Sequence, residues 1–101
     1  MFSKQDIVVI DFPYSDLVNS KKRPVIIIGE KVEDFIVCAI TSNPSVEGVS
    51  LRFEEGKLPF ESKIKYWQIQ TILKSRARKK IARVSKGCYE ETISKINELI
   101  K

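Results

Sequence analysis

The chain has 101 residues, 43% hydrophobic and 31% charged, with a formal net charge of +5. That length suits one domain, 1–101, with a modest core, and the longest apolar run, Val25 to Ile28, is too short for a signal peptide or a membrane span. Histidine is absent, which removes the commonest general base and transition-metal ligand and argues against zinc chemistry.

Ile7-Val8-Val9-Ile10-Asp11-Phe12 reads as a first strand, stopped by Pro13. Tyr14 to Arg23 is polar, holds Asp16, Asn19, Ser20 and three consecutive cations, and predicts a long, mobile hairpin loop. Val25 to Ile28 is a second, buried strand ended by Gly29, and Phe35 to Ile40 is a third, broken by Asn43-Pro44-Ser45. Val49 to Phe53 alternates apolar and polar residues, as a strand with one wet face does, and Glu54-Glu55-Gly56-Lys57 turns the chain. Ser62 to Ile72 offers one or two further strands. Leu73 to Lys80 suits a short helical turn, and Ile81 to Val84 a brief strand.

The C-terminal segment is a helix. Ser85 is its N-cap, and Tyr89, Ile93, Ile96 and Ile100 recur at spacings of 4, 3 and 4. Five to seven short strands plus this helix predict a mainly β fold, a small and partly open barrel.

Charge is unevenly spread. Residues 1–56 carry 6 basic and 9 acidic side chains, net −3, whereas residues 57–86 carry 10 basic side chains against Glu61 alone, net +9. Between 74 and 86 seven cations occur with no acid, a density that suits a polyanion or an acidic protein partner. Cys38 and Cys88 sit within apolar patterns without metal-ligand spacing, so buried free thiols in a reducing cytoplasm are expected. Asp6, Asp11 and Asp16 are spread over a strand and a loop, which is poor for magnesium.

Two junctions concentrate the chemistry. In Lys21-Lys22-Arg23-Pro24 an arginine precedes a proline where a basic loop meets a buried strand. In Ala39-Ile40-Thr41-Ser42-Asn43 two hydroxyls follow another buried strand. Rigid strands could thus hold a guanidinium and two hydroxyls at one sheet edge, a grip suited to a phosphodiester.

In order and spacing, Asp6 to Tyr14, Lys22-Arg23-Pro24-Val25, Ala39 to Asn43 and Gln68 to Arg76 resemble the MazF/PemK family of toxin endoribonucleases, from about Gln5 to the last helix. The resemblance implies an SH3-like barrel acting as a homodimer in the cytoplasm and an acidic antitoxin protein as partner. It also implies sequence-specific cleavage of single-stranded mRNA without metal or other cofactor, by 2′-OH attack. Carried onto this chain, it makes Arg23 and Thr41 catalytic, with Ser42, Asn43, Lys65 and Gln68 near the RNA. The neighbouring Lys21, Lys22, Arg76 and Tyr14 are candidate RNA contacts. Tyr14 and Trp67 offer stacking faces, although a barrel aromatic is more often core.

The chain also departs from the family. It has Trp67 where some relatives have an acid, and Gln70 and Leu73 where many have an arginine and an aspartate. The general base is therefore open between Asp11 and Glu61. Two other readings fit parts of the pattern. A non-catalytic SH3-like nucleic-acid-binding module explains the basic stretch but not the Arg23/Thr41 pair. A CcdB-like gyrase-poisoning toxin would need a C-terminal tryptophan, and this chain ends Asn97-Glu98-Leu99-Ile100-Lys101.

Overall fold

Unbroken apolar runs such as Val25 to Ile28 need cover on both faces of a sheet, and the fold supplies it. The computed structural model describes residues 1–12 and 21–101, with the backbone alone at 11, 12 and 21. The strands are β1 (Asp6–Phe12), β2 (Lys21–Lys31), β3 (Asp34–Thr41), β4 (Val49–Ser50), β5 (Phe53–Gly56), β6 (Lys63–Leu73) and β7 (Ala77–Val84). A 3₁₀ turn at Lys74–Arg76 joins β6 to β7, and helix α1 (Lys86–Leu99) closes the described chain. All strands belong to one antiparallel sheet in the order β4-β6-β3-β2-β1-β7-β5. The edge strands β4 and β5 are short and do not pair with each other, so the barrel is partly open, as expected.

Side chains alternate across this sheet into two cores. Ile7, Ile26, Cys38, Ile64, Tyr66 and Val84 pack with Cys88 and Ile96 of α1. Val8, Ile10, Val25, Ile27, Phe35 and Val37 form the second core on the opposite face. Both cysteines are free and buried, and burial pushes the Cys38 thiol up to about 12. Among the described residues no helix is long and apolar enough to cross a membrane.

Several boundaries differ from the sequence reading. β2 runs through Gly29 to Lys31: a register shift leaves Ile28 as the extra residue, and Gly29 pairs with Ile36 rather than ending the strand. The predicted strand Val49 to Phe53 is split into β4 and β5, which pair with different partners, β6 and β7. Glu54 and Glu55 lie within β5, and the chain turns only at Gly56, whose φ of +66° suits glycine. The predicted loop from Tyr14 to Arg23 falls largely outside the described residues, and its last three residues begin β2.

Helix α1 starts as predicted: the Ser85 hydroxyl accepts from the Cys88 N–H at 3.2 Å. Its buried side chains are Cys88, Thr92 and Ile96, with Tyr89 and Ile93 packed beside them, whereas Ile100 is 74% exposed beyond the last turn. Thr92 satisfies its buried hydroxyl by donating to the Cys88 carbonyl at 2.9 Å.

The basic stretch is partly spent inside the fold. Lys74 pairs with Glu30, Lys80 with Glu55 and Asp6, and Arg83 with Asp6 and Glu54. These acids all come from the net-negative first half. Among the described residues no ion pair involves Arg76, Lys79 or Lys86.

Candidate functional site

The start of β2 and the end of β3 lie side by side. Val25 pairs with Ala39 at the end of their ladder, and Arg23 and Thr41 each lie two residues beyond that pair on the two adjacent strands. Both side chains line a cleft of about 420 Å³, together with Lys22, Ser42 and the loop residues Leu58, Pro59, Phe60 and Ser62. A second cleft of about 670 Å³ adjoins it, sharing Thr41, Ser42, Leu58, Pro59, Phe60 and Ser62 and adding residues that include Asn43, Ser50, Phe53, Glu61 and Lys63.

The loop after β3 is held rigid by its own polar groups. The Asn43 N–H donates to Thr41 Oγ1 at 3.1 Å, and the Ser45 N–H to Asn43 Oδ1 at 2.9 Å. Lys63 Nζ donates to the carbonyls of Pro44 at 3.3 Å and Val46 at 3.1 Å, tying the turn to β6. Thr41 Oγ1 thus accepts from the backbone, and its own proton remains for donation. The arrangement can present two cations, Lys22 and Arg23, and an oriented hydroxyl to an anion, which is the geometry of charge stabilisation on a phosphate.

The sequence candidates divide accordingly. Lys22, Arg23, Thr41, Ser42 and Asn43 meet at the two clefts, and so does Glu61, one of the two suggested bases. Tyr14 lies outside the described residues, as do the side chains of Asp11 and Lys21, although the Asp11 backbone pairs with Lys22. Lys65 lies half-buried on β6 opposite Ala39, with its ammonium 5.2 Å from the centre of the Trp67 ring. Gln68 is exposed on β6 where the register jumps: Lys65 opposes Ala39 while Ile69 opposes Cys38, so residues 66–68 bulge out. Neither Lys65, Trp67 nor Gln68 lines either cleft. Arg76 sits in the 3₁₀ turn after Leu73, which pairs with Asp34 at the opposite end of β3 from Thr41.

The sequence reading missed the loop between β5 and β6. Leu58 packs against the first core, yet Phe60 two residues on is 73% exposed at the mouth shared by both clefts. The signal was there in Leu58-Pro59-Phe60, an apolar triplet whose proline forbids a central strand. Tyr66, next along on β6, donates its hydroxyl to Glu47 at 2.6 Å, and that hydrogen bond, with burial, raises its pKa.

Residues 3–100 match the family model of PemK-like, MazF-like toxins of type II toxin–antitoxin systems. Among solved structures, the chain is similar to a MazE–MazF complex from Deinococcus radiodurans (form II; TM-score 0.79, 13% identity, covering 97% of this chain and 94% of that one). MazF alone from the same organism (form I) gives a TM-score of 0.71 at 15% identity, again covering 97% and 94%. The Mycobacterium tuberculosis toxin MazF-mt6 gives 0.72 at 16% identity, covering 94% of this chain and 95% of that one. At these identities the structures attest the fold. Among curated proteins none matches the sequence.

Proposed function

The chain belongs to the PemK-like, MazF-like toxin family of type II toxin–antitoxin systems, and from that membership we propose that it is the toxin: an endoribonuclease that cuts single-stranded mRNA at specific sequences without metal. The observation that carries this reading is the juxtaposition of Arg23 and Thr41 on neighbouring strands at one cleft. In the proposed reaction a ribose 2′-OH gives its proton to a base and attacks the adjacent phosphorus, and the P–O5′ bond breaks as the 5′-oxygen takes a proton from solvent. The products are a 2′,3′-cyclic phosphate and a 5′-OH. Arg23, with its planar fork, neutralises two non-bridging oxygens, and Thr41 donates its hydroxyl proton to the charge that builds on them. Lys22, Ser42 and Asn43 hold flanking nucleotides, and Lys65, Gln68, Lys21, Tyr14 and Arg76 extend the RNA track. Glu61 is the described carboxylate at the clefts that suits the base.

The purified protein is expected to cut single-stranded RNA in EDTA and to leave 5′-OH ends that polynucleotide kinase labels without prior phosphatase. A strict need for magnesium, or 5′-phosphate ends, would overturn the mechanism.

The same reading assigns a homodimer and an acidic antitoxin in the cytoplasm. Trp67, Ile69 and Leu73, which alternate onto one face of β6, are 42–48% exposed, which supports a covered face. Arg76, Lys79 and Lys86 keep charge for an acidic segment that folds on binding. Light scattering that finds a monomer at micromolar concentration would reject the dimer.

A further inference from the structure

Resting on the ribonuclease reading, we infer that Phe60 and Glu61 build a nucleobase pocket beside the scissile phosphate, selecting a base that carries an exocyclic amino group. The two adjoining clefts differ in chemistry. The first holds the cations Lys22 and Arg23 and suits a phosphate. In the second, the Lys63 ammonium is occupied by the carbonyls of Pro44 and Val46, and the lining is mixed, with Leu51, Phe53 and Phe60 beside Asn43, Ser50 and Glu61. A neutral, flat, hydrogen-bonding group fits there better than an anion does.

Phe60 stands between the two. An aromatic side chain left 73% exposed gives up most of the burial energy it would gain in a core. Its loop is nevertheless fixed: Ser62 Oγ donates to the Phe60 carbonyl at 2.9 Å, and the Leu51 N–H donates to the Ser62 carbonyl at 3.1 Å. Leu58 anchors the same loop in the core. A pinned, exposed ring at the mouth of a cleft is a stacking platform. A Glu61 carboxylate accepts hydrogen bonds, so it favours the exocyclic amino groups of adenine, cytosine or guanine over uracil, whose N3–H lies between two carbonyl oxygens that repel a carboxylate.

The test uses the full-length protein and a non-cleavable RNA, 2′-deoxy at the attacking position, alongside cut-site mapping on a long single-stranded RNA. Phe60→Ala should weaken binding of the non-cleavable RNA roughly 5- to 150-fold, the usual cost of one stacked base. Phe60→Trp should restore it, and Ile100→Ala, equally exposed just past the end of α1, should change it less than twofold. Wild-type cuts should exclude uridine at one position flanking the cleaved bond, and Glu61→Gln should bind a non-cleavable RNA carrying uridine there more tightly than the wild type does. A wild-type protein that binds but does not cut reports on the pocket through binding alone and sets the ribonuclease reading aside separately. Unchanged binding by Phe60→Ala, or uridine accepted at both flanking positions, overturns the pocket. So does a wild type that binds no RNA.

Discussion

Arg23→Ala is expected to abolish RNA cleavage, by about 10³-fold or more, while the melting curve stays that of the parent. The scale is that of an arginine supplied to a phosphoryl transition state. The guanidinium carries charge at any working pH, so its loss leaves the phosphate oxygens uncompensated at the moment their charge grows. Arg23→Lys should recover part of the rate, because the charge returns but the two-pronged fork does not. Arg23 is exposed at the start of β2, beyond the buried Val25-Ile26-Ile27 segment, so the core does not depend on it. Thr41→Ala should cost on the order of 10²–10³-fold, the usual effect of removing one transition-state donor. Single-turnover cleavage with saturating RNA, alongside thermal melting, is the measurement. Both variants cutting at the parental rate with unchanged melting would place the site elsewhere.

The largest effect on stability is expected at Asp6, which is 2% exposed at the start of β1. Its Oδ1 accepts from Arg83 Nη1 at 2.9 Å, and its Oδ2 from the Ser3 N–H at 2.9 Å; Lys80 lies 3.6 Å away. Arg83 also reaches Glu54 at 2.9 Å and the Lys4 carbonyl at 3.3 Å, and the hydrogen bond to Asp6 is the main reason its own pKa is raised. Arg83→Met would leave a buried carboxylate with a weaker partner, at a cost of about 3 kcal/mol, the lower end for breaking a buried pair because Arg83 is partly exposed. Asp6→Asn keeps the shape and part of the hydrogen bonding and should cost about 1–2 kcal/mol. The double variant should cost less than the two separately, since the residues share one network. Urea denaturation of all three checks this, and a loss under about 0.5 kcal/mol for Arg83→Met would show that the network is not structural.

The candidate site was half legible. Arg23 and Thr41 could be picked out because each terminates an apolar run, and antiparallel pairing of those runs brings their ends together. Phe60 was not placed at the site, and Glu61 was named only as one of two candidate bases, because the β5–β6 loop reaches Thr41 only through the pairing of β6 with β3 and β4. Trp67 misled for a related reason. The three-residue bulge at 66–68 sets the aromatic apart from both clefts, and no local signal announces such a bulge.

The sequence alone determined the elements whose causes are local. Val25 to Ile27 is buried on two faces because every residue in it is apolar, and Ser85 caps α1 because its hydroxyl reaches an N–H three residues on. Contacts across the chain decided the rest. The basic 74–86 stretch looked unpaired in sequence, yet Lys74, Lys80 and Arg83 meet Glu30, Glu54, Glu55 and Asp6, acids 25 to 77 residues away. Strand Val49 to Phe53 split because its two ends found different partners. Strand propensity is a property of neighbouring residues, whereas register, bulges and ion pairs depend on which distant segment comes to lie alongside, and that is settled only when the sheet closes over its two cores.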